Sequence, residues 1–393
     1  MTLIVAILGL AVLVFVHEAG HFFVARAVGM VPRKFYLGFG PPLVKRVRGG
    51  VEYGIGSLPL GGYVKIPGMS RPSAGDLSKT LVTAEQERLR GPLARLDVAL
   101  AAGDDEGARA SATELEPELG KTRQWQELEM ALAPDAYWRQ ATWKRVATIA
   151  AGPATNILLA LVIFTVLFAL GTIKATRTVE KVLPSHPAAA AGLRAGDSIL
   201  VVSGTRVTDP DHISTLVNAT KGKPFRLVVE RHGRRVTLGP LRARLDGGAY
   251  RVGFQIRGIN GPGESLPGAA WHAVRVVGYV THDTATSIAE LATGRNTHNI
   301  SSSVGIVRAS QQALKQSVQD YLSVLGLISL ALALLNLLPI LPLDGGHILM
   351  ALIERVRGRT FSQGVYLRYA AVGFALFAVL MYIGLRNDLF SGG

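Results

Sequence analysis

The sequence predicts an α-helical polytopic membrane protein with four transmembrane helices, β-hairpins lying against the membrane, and one inserted extracytoplasmic α+β domain. Three observations carry this reading. Of 393 residues, 49% are apolar, and they gather into four long runs, each close to the ~20 residues a helix needs to cross a bilayer core. Between the first two runs lie short aromatic and β-branched stretches punctuated by glycine, the signature of hairpin strands. Between the second and third runs, residues 172–320 alternate strand and turn signals over enough chain to form a core of their own.

The elements follow in order. Residues 1–28 are the first span, and within it His17-Glu18-Ala19-Gly20-His21 interrupts an otherwise hydrocarbon run. No Lys or Arg precedes this run and no small-residue cleavage site follows it before His17, so a removable signal peptide is not expected. Residues 29–69 hold the strand runs 35–40, 51–56 and 60–66. Residues 70–145 change to Ala, Glu, Leu and Arg, and Gly-Asp-Asp-Glu-Gly at 103–107 separates two helical patterns at 83–101 and 106–132, a helical hairpin with solvated charged faces. Residues 146–171 form the second span. Residues 172–260 form the inserted domain, with strands at 199–202, 225–230 and 235–238, a turn at His232-Gly233 and a helix at 211–219. Residues 261–320 read as an extracytoplasmic amphipathic segment. The third span, 321–343, leads into Leu343-Asp344-Gly345, residues 344–368 are hydrophilic, and 369–386 form the fourth span.

Basic residues near span ends set orientation. Arg26, Arg33, Lys34, Lys45, Arg46, Arg48, Lys144, Arg145, Arg355, Arg357, Arg359 and Arg368 all flank one side. Residues 29–145 and 344–368 are therefore expected in the cytoplasm, with 172–320 outside a bacterial inner membrane. Residues 172–320 are themselves basic, 19 Lys and Arg against 10 Asp and Glu, but long loops cross largely regardless of charge. The net charge of +14 is accounted for by topology and by attraction to anionic lipid headgroups of the bilayer. No nucleic-acid motif accompanies it, so nucleic acid is not expected as a partner. With no cysteine, disulfides and thiolate ligands are excluded, and any metal site must use His and carboxylate.

An α-helix turns about 100° per residue, so His17 and His21, four apart, share one face and can grip one Zn²⁺, with Glu18 beside them as general base. Ionisable groups at membrane depth are costly, which favours function over decoration, although snorkelling to the interface is the bland alternative. A catalytic zinc normally takes three protein ligands. Asp344 is the leading candidate for the third, because Pro339 and Pro342 break the span just before it and free the chain to turn inward. Asp344 as a mere cap of a helix at 345–356, or His347 as the ligand instead, are the competing readings. In the second span, Gly152-Pro153-Ala154-Thr155-Asn156 allows close helix approach and places an amide at Asn156 that could bind an oxyanion or substrate backbone, or serve as interhelical glue. Asn336 has the same two readings. Gly54, Gly56 and Gly61 mark strands whose open edge could take an added peptide, or a small structural sheet.

Residues 189–197 (Ala-Ala-Ala-Gly-Leu-Arg-Ala-Gly-Asp), the strand after them and Ser203-Gly204 resemble part of a bacterial PDZ domain, which implies binding of extended peptides and their C-termini. Together with HEAGH in a span, Leu-Asp-Gly downstream, Gly-Pro-x-x-Asn between them and the glycine-rich hairpin, the chain resembles the bacterial site-2 protease family, of the regulator-of-sigma-E type, over nearly its whole length. The resemblance implies Zn²⁺ held by His17, His21 and Asp344, with Asn156 and Asn336 matching motif asparagines. It also implies cleavage of single-span membrane proteins such as anti-sigma factors. One PDZ copy rather than two and the helical insert depart from the enterobacterial pattern, which touches gating and partners rather than chemistry. The rivals are a non-catalytic PDZ membrane adaptor, disfavoured by the intact His-Glu-His and Asp344 set, and a metal transporter, disfavoured by a single cluster without an inverted repeat.

Overall fold

A computed structural model describes residues 2–72, 77, 83–120, 122–171, 173–246, 249–292 and 303–390. The chain divides into two compact units, Met1–Val166 with Ala269–Gly393, and Leu167–Gly268.

The larger unit starts with helix α1, Thr2–Ala27. Strands β1, Lys34–Arg48, and β2, Val51–Lys65, follow. Each is long and bent. Residues 34–37 pair with 52–55 on one side and with 62–65 on the other, while 44–48 pair with 51–55. The two strands therefore fold into a curled sheet whose arms lie in the order 44–48, 51–55, 34–37 and 62–65, so that 62–65 forms one edge. The separate runs expected at 51–56 and 60–66 are two arms of β2, re-aimed around Gly61, whose positive φ of 84° suits glycine.

The insert folds as three helices, α2 Thr83–Ala102, α3 Asp105–Leu119 and α4 Arg123–Leu132, around Leu89, Leu96, Leu115 and Leu128. The break between α3 and α4 divides the expected 106–132 helix. Thr122 turns out of the helix and its hydroxyl accepts from Trp125 N at 3.2 Å, an N-cap that starts a new helix.

Helices α5, Thr142–Leu170, and α6, Ile213–Ala219, come next, the latter lying in the smaller unit. Then follow α7 Leu266–Ala292, α8 Ser303–Gln316, α9 Val318–Asn336, α10 Asp344–Arg357 and α11 Gln363–Phe390. Among the described residues, four helices are long and apolar enough to cross a membrane: α1, α5, α9 and residues 363–386 of α11. The third stops at Asn336 rather than 343, since Pro339 and Pro342 cannot continue it. The amphipathic expectation at 261–320 corresponds to α7 and α8, with 293–302 outside the described residues.

Small and polar residues bring these helices close. A Cβ on Gly20 of α1 would stand 2.5 Å from Ala151 O of α5, so glycine is required at that crossing. Tyr321 Oη of α9 donates to Val5 O of α1 at 2.8 Å, and Ser329 Oγ donates to Asn156 O at 2.9 Å. These bonds satisfy polar groups that lipid could not.

The smaller unit is an antiparallel sheet in the order β10-β3-β4-β6-β7, with β5 paired to β4. The strands are β3 Ile173–Val182, β4 Ser198–Val202, β5 Thr205–Arg206, β6 Phe225–Arg231, β7 Arg234–Leu241 and β10 Phe254–Asn260. A separate two-stranded ribbon joins β8, Arg244–Asp246, to β9, Ala249–Arg251. Ile199, Leu227, Val229 and Val217 fill the core. Asp197, 1% exposed, takes a two-pronged hydrogen bond from Arg231 (2.7 Å on each oxygen) and one from Arg194 N at 2.9 Å. Burial alone would push this carboxyl up; the Arg231 and Arg194 bonds and charges outweigh it and hold the carboxyl below its ordinary 3.8.

Candidate metal centre

His17 and His21 lie on the buried face of α1, one turn apart, with their rings edge to face. Residues 337–343 turn back beneath α9 and deliver Asp344 as the first residue of α10. Glycine makes this turn possible, because a Cβ on Gly345 would overlap the carbonyl oxygens of Leu337 and Leu338. Asp344 Oδ2 lies 3.1 Å from His17 Nε2 and 3.4 Å from His21 Nε2, and the two Nε2 atoms are 3.3 Å apart. The three ligand atoms all lie within 4.8 Å of one another, and His347 is not among them.

The donor set fits zinc on several counts. Two imidazoles and one carboxylate leave a fourth position open, as a catalytic zinc site requires. Three atoms with lone pairs crowd together, and Asp344 Oδ2 has no hydrogen-bond partner among the described residues, an arrangement a cation would neutralise. His21 Nδ1 donates to Thr148 O of α5 at 2.9 Å, which fixes the tautomer with its Nε2 lone pair facing the other ligands. His17 Nδ1 faces the Asn156 amide, whose Nδ2 is 3.4 Å away, while Asn156 Oδ1 is buried without a partner among the described residues. A half-turn of the amide would present Oδ1 to the ring N–H of His17. Gly152, on the same face of α5, leaves the space the rings occupy: a Cβ there would stand 2.8 Å from His17 Nε2 and would overlap His21 Nε2.

Glu18 lies beside the sheet edge. A Cβ on Gly62 would come 3.1 Å from Glu18 Cγ. Because Arg33 N donates to Lys65 O, residue 65 faces the neighbouring strand, and strand alternation turns the backbone groups of Gly62 and Val64 outward at the edge.

Of the glycines singled out from sequence, Gly54 admits the Tyr36 ring, Gly56 lets the Phe39 backbone approach, and Gly61 lies against the Phe39 ring. They shape the sheet, and Gly62 is the glycine that reaches Glu18. Asn336 Nδ2 donates to Leu332 O at 2.9 Å, within its own helix. Sequence reasoning missed Thr148 and Gly62. The Gly61-Gly62 pair marks the second, whereas a backbone acceptor such as Thr148 leaves no signal in residue identity.

Helices of membrane-crossing length, two buried histidines and a half-buried aspartate brought together as one donor set, and a carboxylate beside them on α1 are the parts of a membrane-embedded metallohydrolase. The chain matches Peptidase family M50 over residues 5–380 and belongs to it. It is 31% identical over 409 residues to a candidate zinc metalloprotease of Brucella suis biovar 1, covering 99% of this chain and 95% of that protein. It is also 27% identical to the zinc metalloprotease RasP of Geobacillus kaustophilus (96% and 95% covered) and to a candidate protease, Eep, of Enterococcus faecalis (99% and 98% covered). The protein is a multi-pass membrane metalloprotease, and zinc is its cofactor.

Proposed function

We propose that the chain cuts peptide bonds within transmembrane segments of single-span membrane proteins, anti-sigma factors among them, as the membrane step of regulated intramembrane proteolysis. The observation that carries this is the meeting of His17, His21 and Asp344, drawn from opposite ends of the chain, beside Glu18 and an outward-facing strand edge. His17 Nε2, His21 Nε2 and Asp344 Oδ2 would hold the zinc. When bound, zinc supplies Lewis acidity that brings a water near ionisation at neutral pH and polarises a carbonyl. Glu18 removes a proton from the water attacking the scissile carbonyl carbon and delivers it to the amine nitrogen as the C–N bond breaks. Thr148 O and Asn156 hold the imidazoles in the required tautomer. A transmembrane helix conceals its peptide bonds, so it must unwind first. Gly62 and Val64 can hydrogen-bond the unwound strand and lay it alongside Glu18.

The smaller unit supports a PDZ reading. A groove of about 650 Å³ runs between α6 and the segment leading into β10, lined by Ile213, Val217, Tyr250, Val252, Gly253 and Phe254, and β10 is an edge strand. An extended peptide C-terminus, such as an earlier cut would create, fits this groove by strand addition. We place this unit outside the inner membrane and residues 29–145 and 344–368 in the cytoplasm.

Glu18→Gln tests the reading. The variant should retain zinc while single-span proteins accumulate uncut in the membrane proteome. Normal cleavage by it would remove Glu18 from the reaction.

A further inference from the structure

Helices α5 and α10, which shape the metal centre, meet a second time away from it. Glu354 lies on α10 ten residues beyond Asp344, ~15 Å along the axis, and Arg145 lies three residues before Thr148 on α5. Both side chains are 4% exposed, and Arg145 Nη2 donates to Glu354 Oε2 at 2.5 Å. Glu354 Oε1 accepts from Phe361 N at 2.6 Å and from Tyr366 Oη at 3.4 Å. The guanidinium carbon of Arg145 stands 4.7 Å over the Tyr137 ring.

A fully buried ion pair is an inefficient way to join two helices, because apolar residues of similar volume often stabilise as well or better. What it adds is register: a fork of donors meets a carboxylate at one translation and one rotation. Sliding α10 along α5 by one residue would move Asp344 by ~1.5 Å, whereas a functional site tolerates ~0.5 Å. We infer that Arg145 and Glu354 are positioning residues for the metal centre, setting the axial register of α10 against α5 so that Asp344 meets the imidazoles that Thr148 and Asn156 orient. This rests on the reading of Asp344 as a zinc ligand.

The test is a double-mutant cycle on the full-length protein in detergent, reading zinc affinity by competition with a chromophoric chelator. Glu354→Gln should weaken zinc at least tenfold, in the range seen for outer partners of metal ligands. In the Asp344→Ala background, where only two imidazoles remain, the same change should alter affinity less than twofold. With Co²⁺ as the probe, Glu354→Gln should shift the visible bands toward those of Asp344→Ala. Equal loss in both backgrounds, or no loss in either, overturns the clamp while leaving the ligand reading intact. Unchanged affinity in Asp344→Ala alone removes the ligand reading and the clamp with it. Should Glu354→Gln fail to fold, R145M/E354M decides. Folded with zinc at least tenfold weaker supports the clamp, and folded with wild-type affinity overturns it. Failure of this variant to fold overturns it too, since the pair would then serve the fold as a whole.

Discussion

Gly152→Ala adds one methyl group to α5 at the point where both imidazoles pass it. That Cβ would lie 2.8 Å from His17 Nε2 and 2.6 Å from His21 Cε1, where ordinary contact begins at 3.4 Å. His17 must therefore retreat by 0.6 Å and His21 by more than 0.8 Å, since its Nε2 lies nearer still, against roughly 0.2 Å of tolerance in a metal–ligand distance. Neither ring can yield by simple rotation, since Thr148 O and Asn156 hold them from behind. Losing one outer partner of a metal ligand costs about 10- to 100-fold in affinity. Displacing two ligands together should cost at least ~100-fold, or about 2.7 kcal/mol at 1.36 kcal/mol per factor of ten. In the metal-free fold, overpacking should cost about 1–3 kcal/mol, of which the better helix propensity of alanine offsets about 1 kcal/mol. Zinc stoichiometry after chelator dialysis, paired with thermal unfolding of the metal-free protein, separates the two effects. Wild-type zinc retention in Gly152→Ala would refute the placement of both rings against α5.

Asn156→Leu should weaken zinc roughly 10- to 100-fold by leaving His17 Nδ1 without a partner, and Asn156→Asp, which restores an acceptor, should recover most of it; equal affinity in all three would assign the amide to helix packing alone. In the smaller unit, the depressed carboxyl of Asp197 contributes stability that is fully present above its unfolded value and is lost as pH falls through its lower folded value. Hydrogen exchange at β4 and β6 amides should therefore accelerate below about pH 4 in the wild type. Asp197→Asn should exchange faster at neutral pH and lose that acid limb; an acid limb unchanged in the variant would assign it to other groups. Leu115→Ala, at a fully buried site in the insert, should destabilise it by about 2–5 kcal/mol without altering zinc affinity, and loss of zinc would tie the insert to the metal centre.

How much of this is legible in the chain depends on the range over which a pattern acts. His17 and His21 need only helical periodicity to share a face, so their proximity can be read from spacing alone. Asp344 can be nominated because Pro339 and Pro342 announce the end of a helix, although its meeting with His17 across more than three hundred residues is a tertiary fact. The β-turn at His232-Gly233 is likewise local, and both residues take positive φ. What sequence does not reveal is choice among equivalents. Any glycine from Gly54 to Gly62 could sit beside Glu18, and the register of a doubly paired strand decides for Gly62. Thr148 contributes a carbonyl that every residue possesses. Arg145 reads as a cytoplasmic charge near a span end and Glu354 falls within a segment expected in the cytoplasm, and only the packing of α5 on α10 turns them into a buried pair. The third span's last residues look apolar enough to continue, but backbone chemistry at two prolines ends it.

X-ray absorption at the zinc edge of the purified protein addresses the central claim most directly. The account predicts a first shell of two imidazole nitrogens at about 2.0–2.1 Å and carboxylate and solvent oxygen at about 2.0–2.2 Å, with one imidazole lost in His17→Ala and an oxygen lost in Asp344→Ala. Zinc bound without imidazole scattering, or a shell that neither substitution changes, would contradict it.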